Sequence, residues 1–171
     1  MLERQQLLLR PWLASVPIGR PLPWATTVRP IVDPRSGQGL GRAYRESGHC
    51  RRWRRWLGEA VLGVYETEDD ALLFTLHRPL GWRRTWQVRD ADEHPVATFQ
   101  RGVLCDGYGR WAATVERHIR QERGRFLGSN GTEVAAWSRS AAGTSLTFAE
   151  GLADSPFFKM AVLGTVLVVD E

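Results

Sequence analysis

The chain has 171 residues, 43% of them hydrophobic and 25% charged, which suits one domain with its own core and excludes a disordered or collagen-like chain. Its balance of 23 Lys+Arg against 19 Asp+Glu gives a net charge of +4, which permits contact with anionic surfaces but does not demand it. The two cysteines, Cys50 and Cys105, lie far apart and outside any C-x-x-C pair, which argues against a structural zinc site and a disulfide scaffold.

At the N-terminus, residues 1–25 are rich in proline (Pro11, Pro17, Pro21, Pro23) and read as an arm, with Leu7–Leu9 expected to form a short helix. The apolar triplet is too short for a signal-peptide core, so the expected location is the cytoplasm, with peripheral contact at a membrane. From Thr26 a unit recurs, a β-type run, a polar turn and a second β-type run. The turns are expected at Asp33–Gly39, Glu68–Asp70, Asp90–Pro95 and Ser129–Thr132. Asn130-Gly131 gives the strongest signal, because both residues tolerate the positive φ of a type I′ turn. Alternation supports strands: in W-Q-V-R, Trp86 and Val88 share one face while Gln87 and Arg89 share the other. The run Trp111–Arg123 suits either a strand pair or a helix, with β favoured for its first half. Ten to twelve short strands at this spacing predict an all-β sandwich or barrel.

The last segment breaks the pattern. Ser155 suits an N-cap and Pro156 the first helical position, so a helix is expected over 156–168, with Asp170 closing it. A helix of about thirteen residues with no polar stripe spans roughly 20 Å, whereas a bilayer needs about 20 apolar residues to cross about 30 Å. A helix apolar on every side and too short to span is a core helix. Gly164 is expected to let one face approach neighbouring backbone closely. No transmembrane span is expected.

An antiparallel β-domain ending in one fully apolar helix resembles the tubby C-terminal-like superfamily, most closely its phospholipid scramblase and LURP-one-related branch. The residues carrying the resemblance are Val32-Asp33-Pro34-x-x-Gly37, Trp86-x-Val88-x-Asp90-Ala91-Asp92, Arg125-Phe126-Leu127, Glu133-Val134-Ala135 and Lys159-Met160-x-x-x-Gly164. It implies a mainly β fold over 26–171, a closed antiparallel barrel of about twelve strands around the buried C-terminal helix. The acidic calcium segment that scramblases carry before this helix reads A-A-G-T-S-L-T-F here, and their acylated cysteine cluster is absent. No cofactor is therefore expected, and calcium-gated scrambling is poorly supported. The family's phosphoinositide-binding basic residues do not map one by one onto this chain.

The most distinctive exposed-looking stretch is C-R-R-W-R-R-W-L-G, residues 50–58. As a helix it places Trp53, Trp56 and Leu57 on one face and Arg51, Arg52, Arg54 and Arg55 on the rest. Aromatics entering a headgroup layer beside phosphate-binding arginines are the chemistry of an interfacial helix, and Arg83 extends the basic face. The plainer reading is that the two tryptophans cap the barrel mouth above a solvated arginine face. Single-stranded nucleic acid would suit the same residue types and is the less favoured partner.

Other patterns point to structure. Asp90-Ala-Asp92-Glu93 has the first two ligand positions of a calcium loop but lacks its glycine and its glutamate at twelve, so a hairpin turn is expected. Gly37–Gly41 lacks the dinucleotide-loop spacing, and Asn130-Gly131-Thr132 is better explained as a turn than as a glycosylation site. No G-x-S-x-G or H-E-x-x-H occurs. His49 beside Cys50 has no third partner, and His77 and His118 fall in β-type runs. The expectation is a non-enzymatic binding domain for anionic phospholipid headgroups or a membrane surface. The alternatives are a protein-interaction scaffold without lipid affinity and, further off, a hydrolase or a nucleic-acid binder.

Overall fold

The computed structural model describes residues 1–14, 25–46, 60–79, 85–150 and 155–169. Among these residues thirteen strands precede one helix: β1 (Gln6–Leu9), β2 (Leu13–Ala14), β3 (Ala25–Val32), β4 (Gly39–Glu46), β5 (Ala60–Glu66), β6 (Leu72–Arg78), β7 (Thr85–Asp90), β8 (Pro95–Gln100), β9 (Val103–Asp106), β10 (Trp111–His118), β11 (Arg123–Gly128), β12 (Glu133–Ser140), β13 (Gly143–Phe148) and α1 (Pro156–Val169). A 3-10 turn, Ile119–Gln121, joins β10 to β11.

From β3 to β13 each strand pairs antiparallel with the next, and β1 closes the sheet by pairing with β13 on one side and β3 on the other. β2 pairs with β3 further along the same edge, at Leu13↔Val28. β1 and β2 therefore act as one interrupted strand, and the closed barrel has twelve strand positions. Shifts of register at Ile31/Val32, Val64/Tyr65, Val88/Arg89 and Phe126/Leu127 add the local twist that helps a sheet curl shut.

The short helix expected at Leu7–Leu9 is instead β1. Leu7 and Leu9 are fully buried, paired opposite Leu146 and Thr144. A three-leucine run carries no period that separates helix from strand, and its partners lie far along the chain. The tight turns fall where expected, at 33–38, 67–71, 91–94 and 129–132. The fourth is not of type I′: among its residues Gly131 alone has positive φ, 75°. Asn130 acts through its side chain, its Oδ1 accepting from the Thr132 N–H (3.1 Å) and Oγ1 (2.6 Å).

The barrel interior is apolar. Ile31, Leu62, Val64, Phe74, Leu76, Leu104, Phe126 and Leu146 point in, and Val162, Leu163, Val166 and Leu167 of α1 fill the middle. The Ser155 carbonyl accepts the Lys159 N–H at 3.1 Å, which starts the helix. Gly164 faces β6 and β7, where a Cβ would stand 2.8 Å from Leu76 Cδ2 and 3.3 Å from Val88 Cγ2. The close approach expected there is thus to side chains. No helix among the described residues is long and apolar enough to cross a membrane. Asp170 lies outside the described residues.

The helix gives the barrel two distinct ends. Lys159 Nζ donates to the Leu2 carbonyl at 2.7 Å and lies 5.4 Å from the Phe148 ring, so α1 begins beside the N-terminal segment and the close of β13. This is the upper end, ringed by the turns at 33–38, 67–71, 91–94, 107–110 and 129–132. The lower end carries the turns at 101–102, 119–122 and 141–142, and there β4 and β6 finish and β5 and β7 start.

Candidate functional site

Alternation along the strands places an arginine at the lower limit of the inward face on strand after strand. β4 reads Gly41, Ala43, Arg45, and β6 reads Phe74, Leu76, Arg78. β10 continues the pattern with Ala113, Val115, Arg117, and β12 with Ala135, Trp137, Arg139. On β3 the inward face reads Thr27, Arg29, Ile31, with Arg29 one position further in. Register confirms the phase. Arg117 pairs with the buried Gly124, which pairs with the buried Trp137; Arg139 pairs with the buried Thr144.

Four of these five guanidiniums rest on indole rings at the mouth. Arg29 and Arg45 lie 5.8 and 5.1 Å from the centroid of Trp12, Arg78 lies 5.2 Å from Trp86, and Arg117 lies 6.0 Å from Trp137. Each contact lies within cation–π range and contributes about 0.5–1 kcal/mol, more when desolvated. Arg29 is 3% exposed, and its Nε donates to the Arg10 carbonyl (2.8 Å) and its Nη2 to Thr144 Oγ1 (2.9 Å). Gly124 is needed for this packing, since a Cβ there would lie 2.7 Å from Trp137 Nε1 and from the Glu116 carbonyl. The indole N–H groups of Trp12 and Trp137 and the Thr27 hydroxyl are buried without a hydrogen-bond partner. Leaving such groups unmet costs about 1–3 kcal/mol each.

Around this mouth Arg10, Arg101, Arg120 and Arg123 are exposed. Among the described side chains this end carries two carboxylates: Glu116, held by Arg125 at 2.7 Å, and Glu122. The upper end is acidic on balance, with Asp33, Glu68, Asp69, Asp70, Asp90, Asp92, Glu93, Asp106 and Glu133 on or beside its turns, four of them bridged to Arg4, Arg42, Arg89 and Arg110. Some of these hold the hairpins. Asp90 Oδ1 accepts from the N–H groups of Asp92 and His94, and Asp106 Oδ1 from those of Tyr108 and Arg110. The Arg110 N–H and guanidinium hold the Asp106 carboxyl below its ordinary pKa, and the Arg35 N–H does the same for Asp33. Ligand atoms of Asp90, Asp92 and His94 lie within 4.8 Å of one another, with one Asp90 oxygen engaged in the turn.

Of the residues singled out in the sequence, Arg51, Arg52, Trp53, Arg54, Arg55 and Trp56 fall in the β4–β5 connection and Arg83 in the β6–β7 connection. All lie outside the described residues. The strands that these connections join, β4 to β5 and β6 to β7, meet them at the arginine-lined end. The inward arginines Arg29, Arg45, Arg78, Arg117 and Arg139 do not stand out in the sequence. Their signal is an apolar alternation that ends in arginine with no break in phase, as in F-T-L-H-R.

No protein-family model matches the sequence, and no curated protein matches it. Among solved structures, the X-ray structure of protein AT5G01750 from Arabidopsis thaliana has a similar fold, with a TM-score of 0.63 over 97% of this chain and 91% of that one. The two are 12% identical, so the likeness is one of fold alone.

Proposed function

We propose that this domain is a non-enzymatic binding module of the tubby C-terminal-like kind, on the scramblase and LURP-one-related branch, and that its arginine-lined end docks on anionic phospholipid headgroups. One observation carries the reading: arginines crowd the lower end with few carboxylates beside them, whereas the acidic side chains gather at the upper end, several already paired with Arg4, Arg42, Arg89 and Arg110, and the barrel interior is filled by its own helix. A ligand is thereby directed to an end of the barrel, and anions to the lower one. Exposed arginines supply long-range attraction, and guanidiniums stacked on indoles present their N–H edges in a fixed orientation. Arg51–Trp56 and Arg83 belong to connections that enter and leave at this end, so they fit the same docking face.

Co-sedimentation with phosphatidylcholine vesicles, with and without phosphatidylserine, tests this. Binding is expected only to the anionic vesicles and is expected to fall as salt rises. The triple variant Arg101→Glu, Arg120→Glu, Arg123→Glu changes exposed side chains outside the core. At about 1 kcal/mol per basic residue near the surface, it should weaken binding on the order of a hundredfold. Joint replacement of Arg51, Arg52, Arg54 and Arg55 by glutamine should also weaken binding, and an unchanged affinity would remove them from the site. Wild-type protein indifferent to anionic lipid would leave the protein-interaction scaffold as the better reading.

A further inference from the structure

The upper end offers the chemistry that arginine recognises. Glu68, Asp92 and Glu133 are exposed and form no salt bridge with a described residue. They stand on successive stretches of the rim, at the β5–β6 and β7–β8 turns and at the start of β12. Between the last two, the β9–β10 hairpin holds two rings in solvent, Tyr108 at 88% and Trp111 at 52% exposure. Beside Glu68, a cleft of about 350 Å³ is lined by Met1, Glu3, Arg4, Gln38, Glu66 and Glu68, among others. Glu66 is taken by the Met1 ammonium at 2.6 Å, which leaves Glu3 and Glu68 as its carboxylates without a salt bridge among the described residues. Carboxylates with open aromatic faces form both halves of a guanidinium site. The chain already uses the pairing here, since Arg110 lies 5.3 Å from the centroid of Tyr108.

We propose that the upper end receives the lower end of a second copy of this chain. Arg101, Arg120 and Arg123, which lie together on the β8–β9 and β10–β11 turns, would meet the Glu68, Asp92, Glu133 rim and the Tyr108 and Trp111 faces. The contact joins two different surfaces, so it is heterologous and leaves a free end on each copy, and growth proceeds head to tail. It is a contact of exposed charges, strong where screening is weak: the Debye length falls from about 30 Å at 0.01 M salt to about 3 Å at 1 M. The inference does not rest on lipid binding. If both hold, the arginine end is engaged by one partner at a time.

Sedimentation velocity on the full chain, without lipid, decides the matter. The wild type should sediment as species that grow with protein concentration at about 0.02 M salt and as a monomer at about 0.5 M. Two neutral variants separate the ends: R101Q/R120Q/R123Q removes the donor surface, and E68Q/D92N/E133Q removes the acceptor surface. Each alone should lose at least about tenfold in self-association, the loss of one or two weak ion pairs. Mixed at equal concentration, they should form one capped heterodimer, because each retains the end that the other lacks. A wild type that is monomeric at low salt overturns the proposal. So does self-association that either variant retains in full, or a mixture that stays monomeric. A circular-dichroism melt matching wild type establishes that each variant is folded.

Discussion

Lys159 is the chain's single lysine and is fully buried one turn into α1, its ammonium on the Leu2 carbonyl and near the Phe148 ring. A buried charge needs a partner that an apolar neighbour cannot supply. The contacts it finds lock the first turn of the helix to the segment that leads into β1. This makes Lys159 a reporter. In the folded protein an amine-reactive label should modify the peptide containing Lys159 at least on the order of a hundredfold more slowly than in urea, since reaction requires opening of that end. Mass spectrometry of the digested, labelled protein reads the rate directly. Labelling of the native chain at the unfolded rate would mean that the lock does not hold. At the same scale, Asp90 and Asp106 show why D-A-D-E-H and D-G-Y-G-R are turns: one carboxylate oxygen takes two backbone N–H groups in each. Acidic residues so arranged are committed to shape before any ligand is considered.

Among the elements, α1 depends most on a single small side chain. Gly164 sits against Leu76 and Val88, and the nearest atom is the end of a flexible leucine. Gly164→Ala should therefore be close to neutral: the helix-propensity gain of about 1 kcal/mol offsets a small displacement of Leu76. Gly164→Leu has nowhere to place its extra carbons and should destabilise by about 1–3 kcal/mol. Urea unfolding of the two variants beside wild type distinguishes a tolerated contact from a tight one. The strands of the four hairpins, their turns and α1 are legible in the sequence because each is specified locally: period two, turn residues at fixed offsets, and a capped apolar run. β1 is not, because what makes Leu7–Leu9 a strand is a partner, β13, more than 130 residues away. The arginine mouth is hidden for a related reason. That Arg45, Arg78, Arg117 and Arg139 line one end of the barrel depends on which ends of β4, β6, β10 and β12 lie on the same side, and register of that kind appears only when the sheet closes. R-R-W-R-R-W stands out because its arginines are neighbours in sequence; the inward arginines share only an end of the barrel.

At the scale of the whole molecule, the barrel and its helix are one object. A twelve-position barrel encloses a bore too wide for its own side chains to fill, and here the inward residues include small ones, Ala43, Ala97, Ala113 and Ala135. The helix supplies the missing volume. It also fixes the polarity of the fold, because its start is tied to the upper end and its axis runs toward the arginine mouth. Positive side chains at the end where helix carbonyls point are favoured electrostatically. The basic end is thus where the fold itself tolerates positive charge, before any ligand is present. The same dependence makes removal of the helix costly. Full burial of Val162, Leu163, Val166 and Leu167 contributes about 1.5–3 kcal/mol each, or roughly 6–12 kcal/mol together, against a total stability of about 5–15 kcal/mol for a domain. Loss of α1 would also leave Leu62, Phe74, Leu76 and Phe126 facing an open bore. A chain truncated after Ser155 should therefore lose its near-ultraviolet circular dichroism and its cooperative urea transition. Supplying residues 156–169 as a separate peptide should restore both in part, since the bore that binds the helix is shaped by the strands. A truncated chain that kept a cooperative transition would show that the barrel closes without its core helix, and the last segment would be free to act elsewhere.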